Sequence, residues 1–155
     1  VSYSISFSQK EGFMKCPCHS GNDYKDCCEP FHKGKLPPTP TILLRARYAA
    51  YALNLPDFII GTTHPECFYY EKDKDKWKKD LEEFSTSTTF KDLRILDTHE
   101  DEELGFITFV AFLEQESEDA TFTERSYFVR EEGKWLYRDG IVKSGIHTNE
   151  QMLEI

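Results

Sequence analysis

The sequence predicts an α+β fold: about three helices packed on a curved antiparallel sheet, with a small cysteine-rich module in front. Three features predict it. Four of the five cysteines fall within residues 16–28, helical periodicity runs from about residue 40 into the mid-80s, and strand alternation takes over after residue 88. Helices first and strands afterwards is the order of an α+β domain rather than of a parallel α/β sheet. The chain has 155 residues, 39% hydrophobic and 30% charged, enough for one ordinary domain plus an appendage and apolar enough to fold.

The opening "VSYSISFSQKEGF" lacks the apolar run of a secretory signal. Met14 stands directly before Lys15-Cys16 and is a candidate start, which makes residues 1–13 a leader expected to be disordered. No window approaches 18 consecutive apolar residues, so no membrane helix is expected and the reading is a cytoplasmic protein without a membrane partner.

The segment "KCPCHSGNDYKDCCEPFH", residues 15–32, carries the spacing Cys16-x-Cys18-x8-Cys27-Cys28. A disulfide scaffold is the competing explanation. An odd total of five cysteines and the very tight rings that Cys16–Cys18 or Cys27–Cys28 would close argue against it, while cross-pairs such as Cys16–Cys27 stay geometrically open. Zinc fits better, because it takes four soft ligands at tetrahedral corners and the eight-residue spacer can turn back on itself. "HSGND" is turn chemistry, with Gly21 suited to positive φ and Ser20 or Asn22 able to cap a short helix over "YKDCC". Pro17 stiffens the first pair and Pro30 is expected to help end the module. The expected ligands are Cys16, Cys18, Cys27 and Cys28. His32, four residues after Cys28, is the alternative fourth ligand. Four protein ligands leave no open position, so the Zn²⁺ reads as structural. Lys15, Lys25, Lys33 and Lys35 are near enough in sequence to offset the thiolate charge. The metal replaces a core that this short segment cannot build, so a chelator should unfold residues 15–32 and leave the rest folded.

"KGKLPPTPT" is a stiff, extended linker. "TILLRARYAAYALN" is a helix capped by Thr39 with Pro40 in its first turn; Leu44, Tyr48 and Tyr51 share its buried face, with Arg45 and Arg47 off that stripe. A second short helix starts near Asn54 and Pro56 and ends before His64-Pro65. "DKDKWKKDLEEFS" is a third, with Trp77, Leu81 and Phe84 buried. Four strand patterns follow: "FKDLRILDT", "LGFITFVAFLE", "TFTERSYFVRE" and "KWLYRDGIV". The second is apolar on both faces, Phe106, Thr108, Val110 and Phe112 against Ile107, Phe109, Ala111 and Leu113, so both faces must be covered. "QESEDA" is a polar loop and "EEGK" a hairpin turn around Gly133. The last stretch, "IVKSGIHTNEQMLEI", is expected to be mobile or loosely docked.

Net charge is −9, unevenly placed: residues 1–35 hold five lysines against four acids, and the remainder 14 basic residues against 24 acidic ones. An acidic body offers nothing to a phosphate backbone, so nucleic acid is not an expected partner. A second copy of the chain is a further partner to consider. The polar residues able to converge in a cone are Arg45, Arg47, His64, Glu124, Arg125 and Asp139. They could grip a ligand or move a proton. The plainer reading makes Arg47 with Glu124 or Asp139 a structural ion pair and His64 a helix cap. Cys67 is a lone thiol near His64, but no nucleophile–base spacing, phosphate-binding glycine loop or HExxH is present, and no catalytic residue is assigned.

"CPCHSGNDYKDCC" resembles the SEC-C motif, the small zinc module at the C-terminus of the SecA translocase, usually CPCGSGKKYKKCC or CPCGSGKKYKKCH. His19 stands at the usual Gly, and Asn22-Asp23 at the usual basic pair. The resemblance implies zinc and docking onto another protein, of open identity. Joined to "LLRARYAAYAL", "TTHPE", "GFITFVAFL" and "TERSYFVREEGKWLYRDG", the motif is similar to the YchJ-like family of uncharacterised bacterial proteins, over about residues 15–141. Thr63 departs from the usual Trp before His64-Pro65, and the second SEC-C module of some members is absent. The chain is then expected to divide into a leader at 1–13, a zinc module at 14–35, an α+β domain at 36–143 and a tail at 144–155, and the resemblance implies a cystatin-like or nuclear-transport-factor-like cone for 36–143. The expected function is a zinc-binding docking protein rather than an enzyme. The alternative is a small-molecule-binding or enzymatic cone with its pocket around His64, Arg47, Glu124 and Asp139.

Overall fold

A computed structural model describes residues 14–154; the leader expected at 1–13 lies outside the described residues. Five helices flank one antiparallel sheet. They are α1 (Glu29–His32), α2 (Pro40–Ala52), α3 (Pro56–Gly61), α4 (Lys74–Ser87) and α5 (Asn149–Leu153). The strands are β1 (Thr88–Glu100), β2 (Leu104–Gln115), β3 (Glu118–Asp119), β4 (Phe122–Glu131) and β5 (Lys134–Ser144). The sheet order is β1-β2-β4-β5, with β3 beside the end of β2. The fold is α+β, as its sequence order requires.

Thr39 caps α2 as its sequence predicts, its hydroxyl accepting from the Ile42 amide at 3.1 Å. Asp73 does the same for α4. Two hairpins turn through consecutive positive-φ residues, Glu116-Ser117 at 51° and 67° and Glu132-Gly133 at 52° and 78°. Such turns match the right-handed twist of paired strands. The short β2–β3 hairpin lies inside the expected polar loop. Register shifts between Phe90 and Asp92, Ile95 and Asp97, and Tyr127 and Phe128 bend the sheet.

Alternation then sorts the side chains. Ile107, Phe109, Ala111 and Leu113 of β2 join Phe128, Trp135 and Tyr137 in the main core beneath α2. On the other face the segment from Gly145 through α5 covers Thr108 and Thr123. Thr108 donates to Asn149 Oδ1 at 2.6 Å, Thr123 donates to the Gly145 carbonyl at 2.8 Å, and Met152 is 1% exposed. Both faces of β2 are therefore covered. The stretch after β5 forms a helix docked on the sheet: Thr148 and Gln151 close a reciprocal cap that starts α5.

Helix α2 is buried nearly all round, at Leu43, Leu44, Ala46, Arg47, Tyr48, Ala49 and Ala50. Its aromatic stripe faces the sheet, Ala50 meets Ile59, Trp77 and Leu81, and Ala46 and Ala49 pack against Cys16, Cys18 and Cys28. Small residues on that last face let the cysteine module approach the helix closely. Among the described residues no helix is long and apolar enough to cross a membrane.

Candidate functional site

The cysteine module is held by a tight backbone weave. Lys15 bridges to Asp23, the Cys16 amide donates to the Asn22 carbonyl at 2.9 Å, and Gly21 takes φ +91°. "YKDCC" does not form the single helix its sequence suggests. A 3-10 turn covers Tyr24–Asp26, Cys27 and Cys28 occupy the following turn, and α1 begins at Glu29 with Pro30 in its first turn. Pro30 therefore starts an element rather than ending one. The break in the helix turns both Cys27 and Cys28 toward Cys16 and Cys18. Ser20 caps no helix; its hydroxyl accepts from the Asn22 amide and lies 3.2 Å from Cys27 Sγ.

The four sulfurs lie within 4.8 Å of one another. The Cys18–Cys27 and Cys27–Cys28 separations are 3.6 and 4.0 Å, and all five cysteines of the chain are free thiols. A tetrahedron with metal–sulfur bonds of ~2.3 Å has edges of ~3.8 Å. The donor set thus fits a tetrahedral thiophilic metal. Without one the thiols compete for protons: hydrogen bonds from Cys16 and Cys28 favour Cys18 as thiolate, while Cys16 is pushed up to about 12 and Cys28 is pushed up too. A bound cation removes that competition.

His32 is occupied elsewhere. Its Nε2 donates to the Ala46 carbonyl at 2.8 Å and its Nδ1 accepts from the Tyr24 hydroxyl at 2.7 Å. Burial pushes its pKa below the usual histidine range. It also packs edge-on to Phe58. The side chain bolts the module to α2 and is not part of the cluster of four thiols. The lysines expected to offset the sulfur charge do otherwise: Lys15 pairs with Asp23 and Lys33 with Glu29. The cation beside the cluster is Arg45, whose Nη1 donates to the Cys18 carbonyl at 3.1 Å and lies 3.9 Å from its sulfur. His19, with φ 63°, sets its ring against Tyr48 and 3.2 Å from the Phe90 carbonyl.

The cone holds a cavity of about 380 Å³ that opens to solvent on one side. Aromatic side chains form most of its wall, among them Tyr48, Tyr51, Tyr69, Trp77, Phe90 and Phe109. Of the six polar residues expected to converge, only Arg47 and Glu124 line it. Arg47 Nη1 donates to the Ile59 carbonyl and to the Thr62 and Thr63 hydroxyls at 3.3, 2.9 and 3.0 Å. Its Nη2 donates to the Tyr69 hydroxyl at 2.8 Å, and its guanidinium lies 4.6 Å above the Tyr137 ring. Glu124 Oε2 accepts from Tyr137 at 2.6 Å and Ser126 at 2.7 Å. Burial raises the Glu124 pKa, opposed by Tyr137, Ser126 and Arg47. Arg47 and Glu124 do not touch as an ion pair; Tyr137 stands between them, bonded to one and stacked on the other.

The other four are elsewhere for simple geometric reasons. Arg45, two residues before Arg47 on a helix, points to the opposite side and joins the cysteine cluster. Arg125 follows Glu124 in a strand and therefore faces the other side of the sheet, bonded to Thr108 at 2.9 Å. His64 is pinned by its amide to the Tyr137 carbonyl at 2.8 Å, and its Nε2 meets Glu131 at 2.9 Å. Asp139 pairs with Arg138, which also reaches Glu66. Cys67 is buried, which pushes its thiol pKa up and away from thiolate chemistry. Thr63 and Ser126 carry no catalytic signature in sequence, yet they anchor Arg47 and Glu124.

Comparison with known proteins agrees with both parts. A family model described as YchJ, middle NTF2-like domain, matches residues 39–140, and the SEC-C motif matches residues 15–30. A UPF0225 protein of Deinococcus radiodurans is 37% identical over 129 residues, covering 82% of this chain and 88% of its own. A UPF0225 protein of Sodalis glossinidius is 35% identical over 130 residues, covering 81% of each. The solution structure of a SEC-C motif containing protein from Rhodopseudomonas palustris superposes with a TM-score of 0.70 at 32% identity, covering 83% of this chain and 98% of its own. A crystal structure of a SEC-C motif containing protein from Psychrobacter arcticus, 23% identical with a TM-score of 0.68 over 87% of this chain and 86% of its own, shares the fold.

Proposed function

The chain belongs to the YchJ-like family, in which a SEC-C motif precedes an NTF2-like domain, and we propose that it is a cytoplasmic zinc protein whose SEC-C module docks onto another protein. The observation that carries this reading is a closed set of four thiols clamped to α2 by His32 and Arg45. Zinc is the metal best suited to four thiolates, and with all four positions filled it has no place for a substrate. Its role is then to fix the shape of a surface, with Lys25, Asp26, Gly34 and Lys35 turned to solvent. The full chain should hold one zinc ion per molecule. A partner captured by it should bind the purified protein at a fixed stoichiometry in calorimetry, and Cys27→Ser should lose that binding while the cone stays folded. Equal binding by Cys27→Ser would remove the module from the interaction.

A second reading, that the cone holds a small molecule, is supported by the cavity with Glu124 in its wall. The carboxylate is held by Tyr137 and Ser126, and Arg47 by Ile59, Thr62, Thr63 and Tyr69, so both are fixed parts of the wall, which suits ligand recognition.

A further inference from the structure

Resting on that second reading, we infer that the cone binds a small, neutral, ring-bearing molecule that donates one hydrogen bond to Glu124 Oε1. The two oxygens of this carboxylate are not equivalent. Tyr137 and Ser126 both donate to Oε2. No hydrogen bond among the described residues goes to Oε1, and no buried side-chain polar atom is left without a partner, so Oε1 borders open space rather than packed protein. Gly140 keeps that arrangement possible, because any Cβ there would collide with Glu124 Oε2 and the Tyr137 hydroxyl. Glu124 itself is 8% exposed and lines the cavity.

Charge selects the ligand class. Arg47 is 5% exposed, always ionised, and committed to Ile59, Thr62, Thr63 and Tyr69. Its opposite number in the cavity wall is Glu124. Arg47 and Glu124 together give the wall no net charge, so a cationic or an anionic ligand would give up its hydration for an attraction to one and a repulsion from the other that offset in a space of low dielectric. A neutral molecule disturbs neither. Its donor would be the third on the carboxylate, and each further donor favours the ionised, accepting form. Apart from Ser126, whose hydroxyl donates to Glu124 Oε2, the rest of the wall is aromatic or aliphatic, with Phe68 and Val142, 72% and 55% exposed, at the solvent side. At about 380 Å³ the space is at the small end for ligand pockets, which suits one or two fused rings, roughly ten to fifteen non-hydrogen atoms.

Four probes of one shape test this: indole, which only donates; benzofuran, its accepting isostere; tryptamine, a cation; and indole-3-acetate, an anion. Binding to the full, metal-loaded chain is followed at pH 8 by NMR shifts of the Leu44, Leu81, Ala111 and Leu113 methyl groups. Indole should bind about tenfold tighter than benzofuran, the value of roughly one hydrogen bond, and tighter than either charged probe. Glu124→Gln should reverse the indole–benzofuran order, because the amide oxygen must take the Oε2 position and turn its NH2 toward the cavity. Ala111→Phe should abolish binding of all four by filling the space. If no probe moves those methyl groups, the small-molecule reading and this proposal fall together. If indole and benzofuran bind equally, or a charged probe binds best, the cavity stands and the ligand class is wrong. The wild-type comparison decides even where Glu124→Gln fails to fold.

Discussion

The guanidinium of Arg45 lies 3.9 Å from the sulfur of Cys18 while donating to the carbonyl of the same residue at 3.1 Å. A cation on a helix of the cone thus stabilises a thiolate of the module. Arg45→Ala should weaken metal affinity by about 10–100-fold, as loss of outer contacts to metal ligands generally does. Competition with a chromophoric chelator measures it; unchanged affinity would reduce Arg45 to a packing role.

Removing the metal should unfold residues 15–32 and also lower the melting temperature of the cone, by about 5 °C for a loss of about 1 kcal/mol. The sequence-based expectation is only that the rest of the chain stays folded. The shared burial of Cys16, Cys18 and Cys28 with Ala46 and Ala49 couples the two. A thermal melt followed by cone resonances, with and without chelator, distinguishes the outcomes.

Gly140→Ala should destabilise the protein by about 1–3 kcal/mol, since the added carbon has no room beside Glu124 and Tyr137. Gly61→Ala, where a Cβ would meet nothing within 4 Å, is the matched control and should stay within ~0.5 kcal/mol. Denaturant titration of both variants would expose an error if they behave alike.

Burial raises the folded pKa of Glu124 above its ordinary 4.5, so the unfolded chain gives up this proton first as pH rises. The contribution of this group is therefore fully present below about pH 4.5 and lost as pH climbs through the folded value. Glu124→Gln removes that loss. The stability difference, variant minus wild type, should rise between pH 4.5 and 8; a flat difference curve would contradict the assignment.

The module and the strands were legible because their signals are local. Cysteine spacing picks out the four thiols that cluster, and the alternation of "TFTERSYFVRE" already separates Glu124 from Arg125. What stayed hidden depends on contacts across the fold. His32 at i+4 from Cys28 looks like a ligand until Ala46 and Tyr24 claim its two nitrogens. Arg45 and Arg47 look equivalent until the cysteine module and the cone take opposite sides of α2. Thr63 stands out in the chain only as the residue before His64-Pro65, yet its hydroxyl oxygen is one of those that hold Arg47.

Helix α5 has a practical consequence. Asn149 accepts from Thr108 and Arg125, and Met152 is sealed against the sheet. A chain cut after Ser144 would keep its hairpins, its cavity and its cysteines, yet bare Thr108, Val110 and Thr123 as a sticky strip of strand surface. Such a shortened protein would fold and then self-associate, and the first sign of trouble would be turbidity rather than loss of structure.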